Sequence, residues 1–256
     1  MSPSQPPPEY RVIGITGIPE VYPGDDLVKT LVEASAEQGT PLEQGDLLVV
    51  TQKVVSKAEG RLIVLDSVTP SEFACKVAKE HQKDARLVEL VLRESRRIVR
   101  MDRGVIITET REGFICANAG IDTSNLEGQG SVALLPESSD RSAQGIRDGV
   151  RRLTGATVPV IISDTFGRPW RHGCTNVAIG IAGMPALIDY RGQRDPSGFL
   201  FRASVLAVAD ELASATEPIM GKVDRIPAAI VRGYVYPKGK GSSASLVRDA
   251  EQDLFR

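Results

Sequence analysis

The sequence predicts a mixed α/β chain of the α+β kind rather than a pure doubly wound sheet. Short β-branched runs alternate with stretches of helical periodicity, as layered α/β folds require. Among them sits a hairpin pattern, which an all-parallel sheet would not contain. No self-similarity at solenoid periods is visible.

Tyr10 to Thr16 reads as a first strand, ending in the turn Gly17-Ile18-Pro19-Glu20. Beyond Pro23-Gly24, Asp25 or Asp26 caps a helix that carries Leu27, Val28, Leu31 and Val32 on one face. The turn Glu43-Gln44-Gly45-Asp46 leads into a short buried strand, Leu47 to Thr51, and Arg61 to Leu65 reads as another. Thr69 is the expected cap of the next helix, with Pro70 at its first position and Glu72 three residues after the cap. Helical spacing runs through Phe73, Val77 and Ala78 and resumes at Leu87, Val88, Val91 and Leu92, which predicts a helical hairpin.

Val105 to Thr108 and Gly113 to Ala117 flank Thr110-Arg111-Glu112 and predict a β-hairpin. Ser131 to Leu135 is a further strand, and Ile146, Val150 and Leu153 mark a helix. Val158 to Ile162 is a strong strand that is expected to end in a loop from Asp164 to Arg168. Val205, Val208, Ala209 and Leu212 indicate one more helix, and Ile226 to Val231 one more strand. Residues 1–9 form a Pro-rich leader, 10–236 a single folded unit, and 237–256 a Lys-, Gly- and Ser-rich tail expected to be mobile.

A formal net charge of −2 gives no basic excess for nucleic acid. No apolar run approaches the ~20 residues of a membrane helix, and the N-terminus lacks the features of a secretory signal. The three cysteines, Cys75, Cys116 and Cys174, form no disulfide framework or CxxC pair, which places the chain in the reducing cytoplasm. There is no Gly-x4-Gly-Lys-Ser/Thr segment, so no P-loop, and no strand is followed by Gly-x-Gly-x-x-Gly. His81 and His172 make no zinc motif, and serine-hydrolase signatures are missing.

Three segments carry chemistry. Asn118 to Asn125 follows a strand and gathers Asp122, Thr123, Ser124 and Asn125 beside Gly120. Such oxygen donors suit hard cations that keep waters for phosphates, although Asx-turn loops use the same residues. Ser163-Asp164-Thr165-Phe166-Gly167-Arg168 stands at a strand end, where α/β proteins place ligands, with Arg168 and Arg171 able to hold anions. Thr51 to Arg61 contains Lys53 and Lys57, either of which could serve as a point charge on a transferring phosphoryl group.

In order along residues 10 to 235, these segments form a string of motifs. They are Gly17-Ile18-Pro19-Glu20, Pro23-Gly24-Asp25-Asp26-Leu27, Val54-Val55-Ser56-Lys57-Ala58-Glu59-Gly60-Arg61 and Ala119-Gly120-Ile121-Asp122-Thr123-Ser124-Asn125. They continue with Ile162-Ser163-Asp164-Thr165-Phe166-Gly167-Arg168, Val208-Ala209-Asp210-Glu211 and Val231-Arg232-Gly233. The string resembles the coenzyme F420-0:γ-glutamyl ligases. That resemblance implies a two-lobed fold, neither P-loop nor ATP-grasp, and a cytoplasmic homodimer. It also implies a standalone ligase, without the nitroreductase-like domain fused in some relatives.

The implied reaction is GTP-dependent addition of L-glutamate to coenzyme F420-0, extending a γ-linked polyglutamate tail through an acyl phosphate. By resemblance, Ile18, Pro19, Glu20, Val21 and Lys57 lie at the GTP, with Gln52 near it where many relatives carry Ser. Asn125 contacts the nucleotide. Asp122, Asp164 and Thr165 hold two divalent cations, Mg²⁺ or Mn²⁺, with K⁺ as a further cofactor. Met220, Gly221 and Lys222 belong to a segment, Pro218 to Arg225, that closes over the GTP. Met220 supplies its carbonyl to the second cation. Lys57, Asp122 and Asp164 are the implied catalytic residues. Arg168 and Arg171 are expected to hold anionic substrate, either the coenzyme or glutamate. A metal-dependent GTP phosphohydrolase and a non-catalytic nucleotide-binding regulator are the competing readings.

Overall fold

The computed structural model describes residues 7–123 and 130–253. Asn125 and Ser124, with most of the leader, lie outside the described residues.

Strand β1 (Arg11–Gly14) is followed by helix α1 (Leu27–Glu37), which starts where Asp26 accepts a hydrogen bond from the Lys29 amide at 3.0 Å. The turn at Gly45 leads into β2 (Leu47–Thr51), and α2 (Gln52–Ala58) follows it without a loop. After β3 (Leu62–Val64) come α3 (Glu72–His81) and α4 (Ala85–Arg93), the expected helical hairpin. Helix α3 begins two residues later than the Thr69 cap predicts. Ser71 is the cap, its hydroxyl accepting from the Ala74 amide at 3.2 Å. The Ser71 amide is in turn held by the Glu89 carboxylate of α4 at 2.9 Å, a tertiary contact that local spacing does not show.

Strands β4 (Ser95–Asp102), β5 (Val105–Thr110) and β6 (Ile115–Ala117) form an antiparallel sheet in that order. Of these, β4 has no counterpart in the periodicity reading. It is Arg-rich, and its pairing slips between Ser95 and Arg97 and again between Ile98 and Arg100, which breaks the two-residue alternation. Strand β7 (Ser131–Ala133) and α5 (Ser139–Thr154) follow. Next come β8 (Val160–Arg168) and β9 (Arg171–Ala182). The expected Asp164–Arg168 loop is strand, paired with β9 from Asp164↔Val177 to Gly167↔Cys174 and, after a register shift, at Arg168↔Arg171. The chain ends with β10 (Ile188–Asp189), β11 (Val205–Leu206), α6 (Val208–Met220) and β12 (Ala228–Arg232). Val205 therefore belongs to a strand, not to the helix assigned by spacing.

The main sheet has the order β1-β12-β2-β8-β9. Only β2 and β8 run parallel; the other neighbours are antiparallel. Leu48, Val50, Val160 and Ile162 face one core beneath α1 and α5, where Leu31, Ile146 and Val150 join them. Leu47, Val49 and Ile161 face a second core against α6, with Ala209 and Leu212. Both faces are covered, which explains why these strands read as unbroken apolar runs. A third core gathers Val77 and Val88 of the helical hairpin with Ile106 and Val132, and forms a second lobe. No described helix is long and apolar enough to cross a membrane.

Within the tail, Ser242 donates to Asp140 at 2.6 Å and the Ser243 amide donates to the same carboxylate at 3.1 Å. Val247 packs against the first core, so this part of the tail is fastened to the folded unit.

Candidate active site

Strands β2 and β8 are parallel, so their C-terminal ends, Thr51 and Ser163, lie side by side. A cleft of about 1040 Å³ opens there, between the sheet ends, the second lobe and the end of α6. Asp122 and Asp164, Lys53 and Lys57, and the segment from Met220 to Lys222 all line it.

Asp122 is delivered by a tight turn after β6. Asn118, Ala119 and Gly120 have φ of 51°, 54° and 71°, three consecutive left-handed residues. Two of them are not glycine, a conformation that costs roughly 1–2 kcal/mol per residue. A Cβ at Gly120 would lie 2.7 Å from Leu135 Cδ1, so a side chain there would have to displace Leu135. Asp122 is then clamped by reciprocal backbone bonds with Ala133, each 2.9 Å. Its carboxylate meets the Lys53 ammonium at 2.8 Å.

Asp164 comes from β8, just past the register shift between Ile162 and Ser163 that re-aims the strand. Burial pushes its carboxyl up to about 7, and the negative charge of Asp122 adds to the rise. The Thr165 amide, bonded to Oδ1 at 2.8 Å, opposes it, as do Lys222 and Lys53. The neighbouring Thr165 hydroxyl donates to Asn176 Oδ1 at 2.7 Å and accepts from Lys222 at 2.6 Å. Glu217, in the last turn of α6, accepts from Asn176 at 2.7 Å and pairs with Lys222 at 2.8 Å.

Helix α2 brings two lysines to the cleft. Lys53 and Lys57 are one turn apart on α2 and so share a face. Lys57 is buried and ion-paired with Glu20, whose other oxygen lies 3.5 Å from Arg225. Gln52 is buried, its carbonyl oxygen accepting from Ser56 at 2.9 Å. Helix α6 contains Pro218 and stops at Met220, where Gly221 turns the chain with φ 59°.

Asp122, Asp164 and the Thr165 hydroxyl are oxygen donors of the kind a hard divalent cation takes. Among the described residues no cluster of three or more His, Cys, Asp or Glu is placed to hold a metal. Two carboxylates and a hydroxyl remain, the kind of sparse oxygen set that leaves positions for water and phosphate. The Asp164 carboxyl is raised chiefly by burial and less by Asp122, and Lys222 and Lys53 offset the rise only in part.

The model of the F420-0:gamma-glutamyl ligase family matches residues 16–233. The chain belongs to that family. It is 46% identical over 254 residues to the coenzyme F420:L-glutamate ligase of Methanopyrus kandleri, covering 97% of this chain and 98% of that protein. The coenzyme F420:L-glutamate ligase of Methanothermobacter thermautotrophicus is 43% identical over 248 residues, 96% of this chain and 98% of its own. That of Methanocaldococcus jannaschii is 42% identical over 250 residues, covering 97% and 98%.

In this member of the ligase family, most residues singled out from the sequence converge on one cleft. Ile18, Pro19, Glu20, Val21, Gln52, Lys57, Asp122, Asp164, Thr165, Met220, Gly221 and Lys222 all line it. Arg168 and Arg171 do not. They stand at the far end of the β8–β9 hairpin, beyond Gly167, and the Arg168 guanidinium donates to the His172 carbonyl at 2.6 Å. Sequence reasoning missed Asn176 and Glu217, which lie 41 residues apart and meet only through packing of α6 on β9. It met Lys53 only as one of two lysines, although its spacing from Lys57 puts both on one helical face.

Proposed function

We propose that the chain is a GTP-dependent ligase that joins L-glutamate to coenzyme F420-0 and extends the product through γ-carboxylates. The observation that carries this reading is the gathering of Asp122, Asp164, Lys53 and Lys57 in one cleft at the ends of two parallel strands. The names of the relatives supply the acceptor and the amino acid.

A carboxylate is a poor acyl donor because it is anionic and resonance-stabilised. In the proposed reaction the acceptor carboxylate oxygen attacks the γ-phosphorus of GTP. The bond from that phosphorus to the bridging oxygen breaks, and GDP leaves. The glutamate amine then attacks the acyl carbon of the resulting acyl phosphate, loses a proton, and expels inorganic phosphate. Lys57 lies in the wall that would receive the phosphates, and its ammonium opposes the negative charge that builds on them. Ile18 to Val21, Gln52, Asn125, Gly221 and Lys222 complete the proposed nucleotide contacts.

Asp122, Asp164, Thr165 and the Met220 carbonyl are the proposed holders of two divalent cations, Mg²⁺ or Mn²⁺. Such cations, when bound, neutralise the β- and γ-oxygens. Arg168 and Arg171 remain proposed holders of the anionic arm of the acceptor or of glutamate, reached from the hairpin end. A cytoplasmic homodimer completes the proposal.

The test is mass spectrometry of F420-0 incubated with the chain, GTP, glutamate and Mn²⁺. Whole glutamyl units should be added, and Asp164→Asn should abolish the addition. GDP release that ignores glutamate and leaves F420-0 unmodified would establish a phosphohydrolase instead.

A further inference from the structure

The hairpin that leads to Asp122 is fastened to the main lobe at its turn, away from the cleft. Phe114, just before β6, is buried in the first core and meets the Phe166 ring edge-on at 6.3 Å. From there β6 carries the chain to the Asn118–Gly120 turn and on to Asp122. Phe166 lies on β8, just past Asp164. One ring contact therefore joins the segment that delivers one cleft carboxylate to the strand that delivers the other.

Two more contacts hold the turn ahead of Phe114. The Glu112 carboxylate accepts from the Ser139 amide at 3.0 Å and from the Ser139 hydroxyl at 2.6 Å. Ser139 opens α5, is buried, and sets its carbonyl oxygen close against Gly180 of β9. The tail reaches the turn from another direction. Asp140 accepts from the Ile181 amide of β9 at 2.8 Å, from the Ser242 hydroxyl at 2.6 Å and from the Ser243 amide at 3.1 Å. Beyond that clasp, Leu246, Val247 and Arg248 border a small cavity of about 170 Å³ together with Gly113, Phe114 and Ile115.

We propose that Glu112 and the tail strap, residues 242–247, are positioning residues for the ligase reaction, a role that rests on the proposed function above. They hold the start of β6 on the main lobe and so fix how far Asp122 stands from Asp164. Strand β6 is paired with β5 from Ile107↔Ala117 to Glu109↔Ile115, so the hairpin moves as one body. From Phe114 to Asn118 the strand spans roughly 13 Å, a lever that delivers any tilt at the turn to the cleft. Packed interiors transmit such strain instead of absorbing it. Neither Glu112 nor the strap lines the cleft, so losing them leaves every proposed substrate contact present and changes only its placement. A misplacement of about 1 Å from a change far from the chemistry can cost on the order of 100-fold in rate.

The experiment compares Glu112→Ala, Glu112→Gln and Val247→Ala with Asp46→Ala in the full chain, at a temperature where each is folded. Asp46 lies outside the cleft, so its variant reports the effect of lost stability alone. In glutamate-dependent GDP release, Glu112→Ala should lower kcat/KM for GTP on the order of tenfold, and Val247→Ala should lower it less. Glu112→Gln keeps one acceptor oxygen for Ser139 and should fall between Glu112→Ala and the wild type. Asp46→Ala should match the wild type. Amide hydrogen exchange should quicken at Ile121 and Asp122 in Glu112→Ala but not in Asp46→Ala. Wild-type kcat/KM in folded Glu112→Ala and Val247→Ala overturns the positioning role and leaves the ligase reading intact. A wild-type chain that consumes no GTP overturns the ligase reading, and with it the role in that reaction.

Discussion

Asn176 holds Glu217 at 2.7 Å through its amide nitrogen and receives the Thr165 hydroxyl at 2.7 Å on its amide oxygen. Each end of one buried amide therefore serves a different wall of the cleft. The Thr165 proton is committed to Asn176, which turns an oxygen lone pair towards Lys222 and the cleft.

Asn176→Leu keeps the volume and removes both bonds. Loss of such a supporting hydrogen bond typically lowers metal affinity or activity about 10–100-fold. We expect that loss in a Mn²⁺ titration and in ligase turnover, with a stability cost of about 1–3 kcal/mol for the polar groups left unpaired. Wild-type Mn²⁺ affinity in a folded variant would show that Thr165 needs no such support.

The pH dependence of stability should carry the signature of Asp164. Its carboxyl is raised from 3.8 to about 7, so the folded chain holds a proton that the unfolded chain releases. The associated stability is complete below 3.8 and is lost as pH rises through about 7. Asp164→Asn has no such proton to lose. In metal-free thermal unfolding, the wild type should fall behind the variant as pH climbs through that window. Added Mn²⁺ at pH 8 should stabilise the wild type and not Asp164→Asn. Parallel curves for the two proteins would contradict the assignment.

Gly180 lets helix α5 rest on strand β9. A Cβ there would lie 2.4 Å from the Ser139 carbonyl oxygen, a backbone atom that cannot step aside cheaply. Gly180→Ala should destabilise the chain by about 1–3 kcal/mol or more, the usual cost of overpacking. Urea unfolding with an unchanged midpoint would mean that the α5 start relaxes freely.

Arg232 on β12 donates through Nε and an NH2 group to Asp46, both at 2.8 Å, and Asp46 is 2% exposed. Breaking a fully buried pair costs about 3–5 kcal/mol. Arg232 is 26% exposed, so Asp46→Ala should cost less, about 2 kcal/mol. The cleft lies elsewhere, so turnover at low temperature should hold while the unfolding midpoint drops.

Much of this molecule is legible without tertiary information. The strand Leu47 to Thr51 is the apolar run that begins after the Gly45-Asp46 turn, and the first helix begins at one of the two predicted caps. Local chemistry suffices for such elements, because a turn residue, a cap and a doubly buried strand are each defined within a few neighbouring positions. The identity of the acids was legible for the same reason: Asp122 follows a glycine-bearing turn, and Asp164 follows an apolar strand. What tertiary structure alone decided was their environment. Residues Asp164 to Arg168 are strand because β9 supplies partners for their backbone, although Asp164 and Gly167 are poor strand formers. Lys53 reaches Asp122 across 69 positions only when the second lobe closes on α2, and Asn176 reaches Glu217 only when α6 packs on β9. The sequence determined which groups carry charge. The fold determined which charge each one faces, since electrostatic and hydrogen-bond energies depend on distances that residue order does not contain.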